Sequence, residues 1–193
     1  MVKKKYKKKC KHVVYDVHKR EIWLSGEIVK KTYRLLKTAI DKISRHYAGA
    51  PIRFFISTIG GRSDFAQKIY WLINQSRVPI ETVAVNEVIS AGFFILQAGK
   101  RRLAFPKVTI RFHQAENNPA DLKKLDKFNA DVLGTNVEYL KEVDAVQKFI
   151  FISRSRSVQK ILELFSREAV VSARTAKKLH LIDEIIKAKR RPK

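Results

Sequence analysis

The chain has 193 residues, 45% of them hydrophobic, and 41 Lys and Arg against 18 Asp and Glu give it a formal charge of +23. That length suffices for one well-buried core, and a single cysteine, Cys10, excludes an intrachain disulfide framework and fits a reducing compartment. The apolar runs are too short to cross a bilayer, and segment 1–12 lacks the apolar stretch of a secretory signal, so a cytoplasmic protein without a membrane span is expected.

Much of the charge lies at the ends, with seven lysines between Lys3 and Lys11 and five Lys or Arg between Lys187 and Lys193. Removing these twelve cations from +23 leaves +11, so the body is basic as well. The expected organisation is a flexible basic tail (1–12), a single domain (13–186) and a basic C-terminal tail (187–193). Such a field attracts polyanions and acidic surfaces at long range. No aromatic-basic recognition motif accompanies it, so no specific nucleic-acid function is expected. No Cys/His cluster has metal-ligand spacing, and no phosphate-binding loop is present.

In chain order, Val13 to His18 is a short extended candidate and Glu21 to Leu24 a strand that stops at Ser25-Gly26. From Val29 to His46, Tyr33, Leu36, Ile40 and Ile43 recur at helical spacing with lysines opposite them. Pro51 precedes the strand Ile52 to Ile56, which runs out at Gly60-Gly61. Phe65 to Asn74 resumes the helical period, and Pro79 opens a strand from Ile80. Strands separated by helices argue for parallel βαβ units and a mainly parallel α/β sheet. Leu103 to Phe105 and Val108 to Phe112 bracket a Pro106-Lys107 turn. From Pro119 to about Ser155 the pattern is helical and unusually long for a small domain, and is expected to project. Ser157 caps a helix to Phe165, Ser166 to Val171 is a connector, Ser172 caps a turn to Leu179, and Asp183 to Ile186 closes as a strand.

The stretch Val83 to Gly99 holds the candidate chemistry. β-branched residues lead into Ser90-Ala91-Gly92 and then the helix-compatible Phe93 to Ala98, a strand, a sharp turn and a helix. Such a turn exposes the Ser90 hydroxyl beside helix amides with unused hydrogen-bond capacity. Ser90 is then either an ordinary helix N-cap or a nucleophile. A nucleophilic serine needs a base, and the base needs a group to orient it. Of the five histidines, His113 alone ends a strand in the right part of the sheet. A structural histidine fits that position too.

Gly60-Gly61, Ser90-Ala91-Gly92, Phe112-His113-Gln114, and Val171-Ser172-Ala173-Arg174-Thr175-Ala176 before His180-Leu181-Ile182-Asp183 occur in the order and near-spacing of one family. In these the chain resembles the ClpP family of self-compartmentalised serine proteases over about Tyr15 to Ile186. The resemblance implies the ClpP/crotonase-like spiral of βα repeats with a protruding handle helix, which the segment from Pro119 would supply. It implies Ser90 as nucleophile, His113 as general base, and Gly61 and Ala91 as oxyanion-hole amides, with Gly60 and Gln114 contacting substrate. The family's third residue is an aspartate four positions before the serine of its Ser-Ala motif, where this chain has Glu168. The family's glycine-rich substrate strand is also replaced, by Ala115-Glu116-Asn117-Asn118-Pro119. The implied assembly is a homo-oligomeric tetradecamer of two stacked heptameric rings that cleaves unfolded polypeptides. An AAA+ unfoldase partner would hydrolyse the ATP, and the chain itself would need no cofactor. The alternative is a catalytically weak or inactive structural ring subunit.

Overall fold

A computed structural model of the chain describes residues 12–46, 50–111, 145–155 and 157–187. Strand β1 (Val13–Asp16) turns into β2 (Glu21–Ser25), followed by α1 (Lys30–His46), β3 (Ile52–Thr58), α2 (Ser63–Asn74), β4 (Ile80–Ile89) and α3 (Ala91–Leu96). Then come β5 (Arg101–Ala104) and β6 (Thr109–Arg111). A helix over 145–154, here α4, precedes α5 (Val158–Ser166), β7 (Val170–Ser172), α6 (Ala173–Lys178) and β8 (Glu184–Ile185).

The sheet is mainly parallel, as the alternation of strands and helices predicts. β2, β3 and β4 run side by side in one direction, and among the described residues antiparallel pairing is confined to β1 with β2 and β6 with β7. β4 forks. Its first half pairs with β5 through Glu81↔Arg101 to Ala84↔Ala104, and its end pairs with β6 through Glu87↔Thr109 to Ile89↔Arg111. The carboxyl ends of β2, β3 and β4 therefore meet at one edge, at Gly26, Gly60-Gly61 and Ser90.

Helix burial follows the sequence period. Leu36, Ala39, Ile40 and Ile43 of α1 are buried while Lys30, Lys31 and Lys37 are exposed, each large aliphatic contributing about 2 kcal/mol by leaving water. These side chains join Ile22, Leu24, Phe54, Ile56, Ile69 and Phe94 in the main core. The opposite sheet face carries a smaller cluster of Phe55, Val83, Leu103 and Phe105, with Trp23 stacked on Phe55 at 3.9 Å between ring centroids.

One expectation changes here. Ser166 to Val171 is not wholly a connector, because Val170–Ser172 forms β7 against β6; three residues carry no alternation to detect, and the pairing partner defines the strand. The proposed handle lies mostly outside the described residues. Its described end, 145–154, packs onto the body, with Phe151 between Phe93 (centroids 4.9 Å) and Phe165 (5.4 Å).

Candidate active site

At the end of β4, Ser90 turns the chain into α3 with φ 54° and ψ −124°. A residue with a Cβ seldom holds such a backbone, which costs on the order of 1–3 kcal/mol and persists only where its surroundings enforce it. Main-chain hydrogen bonds do so. The Ser90 N–H donates to the Arg111 carbonyl at 2.8 Å, and the Ser90 carbonyl accepts from the N–H groups of Phe93 and Phe94 at 2.9 and 3.3 Å. Phe93, Phe94, Ile95 and Leu96 are fully buried, which anchors the helix that follows. Ser90 occupies the N-cap position, yet its side chain makes no capping hydrogen bond. Ser90 is half-buried at the sheet edge, with its hydroxyl uncommitted to the helix.

Gly60 and Gly61 lie beside it with φ 104° and 142°. The Gly60 N–H donates to Thr58 Oγ1 at 3.1 Å, and that hydroxyl donates to the Gly26 carbonyl at 2.5 Å, which sets the turn. A Cβ on Gly60 would sit 2.9 Å from the Ser90 Cβ, and one on Gly61 would strike the Ile28 main chain. Gly61 bridges Ile28 in parallel fashion: Ile28 N–H donates to the Gly60 carbonyl at 2.8 Å and Arg62 N–H to the Ile28 carbonyl at 2.9 Å. In a parallel bridge the residue so straddled points its own N–H to the opposite side. For Gly61 that is the side of β4 and Ser90. Among the described residues neither the Gly61 nor the Ala91 amide donates a hydrogen bond. Two amide donors beside an uncommitted hydroxyl can bind an oxyanion formed by attack of that hydroxyl on a carbonyl.

Glu168 occupies an unusual backbone position. It follows α5 with φ 49°, and Ala169 N–H donates to Leu164 carbonyl at 3.1 Å while Glu168 N–H donates to Phe165 carbonyl at 3.4 Å. This is a Schellman helix end, whose left-handed residue is usually glycine. The Glu168 carboxylate accepts a hydrogen bond from Arg111 Nη2 at 2.8 Å through Oε2. His113 and Gln114 lie outside the described residues. The sequence reading passed over Arg111.

The Clp protease family model matches residues 5–189, most of the chain. The chain belongs to the Clp protease family. It is 25% identical over 141 residues to the ATP-dependent Clp protease proteolytic subunit 1 of Cutibacterium acnes, covering 72% of this chain but only 63% of that relative's length. The fold matches a ClpP1 variant from Listeria monocytogenes with a TM-score of 0.76, at 18% identity, over 90% of this chain and 94% of that one.

In this member of the Clp protease family four histidines lie among the described residues. The His12 ring lies against Gly26, His46 Nδ1 is 3.1 Å from the Lys42 carbonyl, and His18 and His180 lie in turns. Asp183 of the family-like C-terminal motif is structural: its carboxylate accepts from Arg102 N–H at 2.7 Å, Nε at 3.1 Å and Nη2 at 2.5 Å. Among the described residues no group of three or more His, Cys, Asp or Glu could hold a metal ion, and no helix is long and apolar enough to cross a membrane.

Proposed function

We propose that this Clp protease family member is the serine endopeptidase subunit of a ring-shaped, ATP-dependent protease, and that it cleaves unfolded polypeptides through an acyl-enzyme on Ser90. The observation that carries this reading is the Ser90 turn itself: a serine held at positive φ, without a capping bond, beside two amides that have no acceptor among the described residues.

In the proposed mechanism His113 takes the Ser90 proton as Oγ attacks the substrate carbonyl. The amides of Gly61 and Ala91 receive the oxyanion, each donor worth roughly 3 kcal/mol in the transition state. His113 returns the proton to the leaving amine, then activates water to release the acyl group. Glu168 accepts the imidazole N–H and stabilises the imidazolium. The pairing of β6 with β7, in which Thr109↔Ser172, Ile110↔Val171 and Arg111↔Val170 are opposed, supports this role by bringing the end of β6 beside the segment that carries Glu168. Gly60 and Gln114 take the substrate backbone. The single domain, 13–186 between basic tails, assembles in the cytoplasm as two stacked heptameric rings, and an AAA+ unfoldase partner supplies the ATP-driven step.

A fluorophosphonate probe with mapping of the modified residue tests the reading. Labelling at Ser90 that is lost in His113→Ala is the expected result, and an assembled, folded ring that is not labelled at Ser90 would sink it. The second reading, a weak or inactive structural ring subunit, draws on Glu168 itself, whose Oε2 is already engaged by Arg111.

A further inference from the structure

We propose that Arg111 is a positioning residue that fixes the carboxylate of Glu168 for its proposed work on the base, an inference that rests on the peptidase reading above. Arg111 is tied to both halves of the candidate site. Its main-chain carbonyl accepts the Ser90 N–H at 2.8 Å, and its guanidinium donates to Glu168 Oε2 at 2.8 Å. β6 makes this possible because it pairs with the end of β4 on one side and with β7 on the other.

The chemistry explains why a glutamate needs such a partner. Compared with an aspartate, Glu168 has one more rotatable bond, so its carboxylate samples a larger volume from the same backbone point. The helix end fixes that backbone point, and the bond from Nη2 to Oε2 removes the extra freedom. Oε1 accepts no hydrogen bond among the described residues and is left to receive another donor.

Fold stability gives little reason to keep this pair. Both side chains are nearly half exposed, at 43% and 46%, and ion pairs in that setting contribute little. Arg111 Nε, by contrast, is buried with no hydrogen-bond partner, which is unfavourable. An apolar side chain of similar length would avoid that penalty. A guanidinium that is costly at Nε and nearly neutral at its ion pair is accounted for by what it does to the carboxylate.

The test uses the assembled full-length ring, a short fluorogenic peptide and a fluorophosphonate, with sedimentation velocity to follow assembly. Arg111→Met is expected to lower kcat about tenfold with KM unchanged, since misplacement of a catalytic group by about 1 Å costs up to about a hundredfold. Arg111→Lys, which keeps one cationic donor, is expected to recover part of the loss. In a Glu168→Ala background, Arg111→Met is expected to change nothing further, because residues acting as a unit are not additive. An Arg111→Met ring at the wild-type rate, or one with the same fractional loss whether or not Glu168 is present, overturns the positioning role alone. If Arg111→Met does not assemble, Arg111→Lys decides: partial activity that depends on Glu168 supports the role, and activity indifferent to Glu168 overturns it. A wild-type ring that is not labelled at Ser90 overturns the peptidase reading and this role together.

Discussion

Replacing Ser90 by glycine and by alanine separates the strain at this residue from its chemistry. Both changes delete the hydroxyl, which makes no capping bond, so neither loses much contact energy at Oγ. Only glycine relieves the backbone at φ 54°, ψ −124°. Relief is worth roughly 1–3 kcal/mol, against about 0.5–1 kcal/mol for the greater chain entropy of glycine when unfolded. The balance puts Ser90→Gly about 1 kcal/mol above Ser90→Ala, equivalent to a Tm about 2–4 °C higher for a chain of this size. Thermal and urea unfolding of both variants at one subunit concentration measures this, with concentration held fixed because assembly contributes to apparent stability. Both variants should lose probe labelling at position 90. A Ser90→Gly midpoint at or below that of Ser90→Ala would refute the claim that the surrounding structure holds this serine under strain.

Three further outcomes follow from other parts of the molecule. Gly61→Ala should cost about 2–4 kcal/mol in the same unfolding assays, because its Cβ meets the Ile28 backbone and the two bridge hydrogen bonds must give way; peptide turnover should fall with it, and a wild-type melting curve would contradict the bridge. Glu168→Gly places glycine at the left-handed helix end, so stability should hold or rise by up to about 1 kcal/mol while peptide turnover collapses; marked destabilisation on urea titration would speak against strain there. Partial burial pushes the Asp183 carboxyl up, but the hydrogen bonds from the Arg102 side chain and N–H, with the charges of Arg102 and Arg154, bring it net below the ordinary carboxylate value. A depressed folded value means that its stabilisation is complete above the unfolded carboxylate range near pH ~4 and is lost as pH falls through the folded value. Asp183→Asn should therefore be least stable relative to wild type near neutrality, with the gap closing below about pH 4 in pH-dependent melts; a gap independent of pH would exclude the linkage.

The parts of the fold legible in the sequence are those whose signal is periodic. Leu36, Ile40 and Ile43 mark the buried face of α1, and the strand ends at Gly60-Gly61 and Ser90 are marked by glycine and small residues. β7 was not legible, since three residues do not establish a period and its pairing with β6 is a tertiary fact. Ser90 could be recognised as a turn residue, but whether its hydroxyl capped α3 or stood apart depends on a ψ angle that no residue pattern encodes. Arg111 was missed for a related reason. Its tie to Glu168 comes from strand register, which brings residues 57 positions apart into hydrogen bonding.

That register explains how two unfavourable backbone positions can be held at once. Four described residues other than glycine have positive φ: Arg20, Ser90, Glu168 and His180. Two of them, Ser90 and Glu168, are joined through Arg111, one by its carbonyl and the other by its guanidinium. Because side chains alternate across a strand, a slip of β6 by one residue would turn Arg111 to the opposite face and release Glu168. The same slip would remove the Arg111 carbonyl from the Ser90 N–H. The Ser90 turn and the Glu168 carboxylate are therefore coupled through one short strand. Any force that shifts β6, including contact with a neighbouring subunit in the proposed ring, acts on both together.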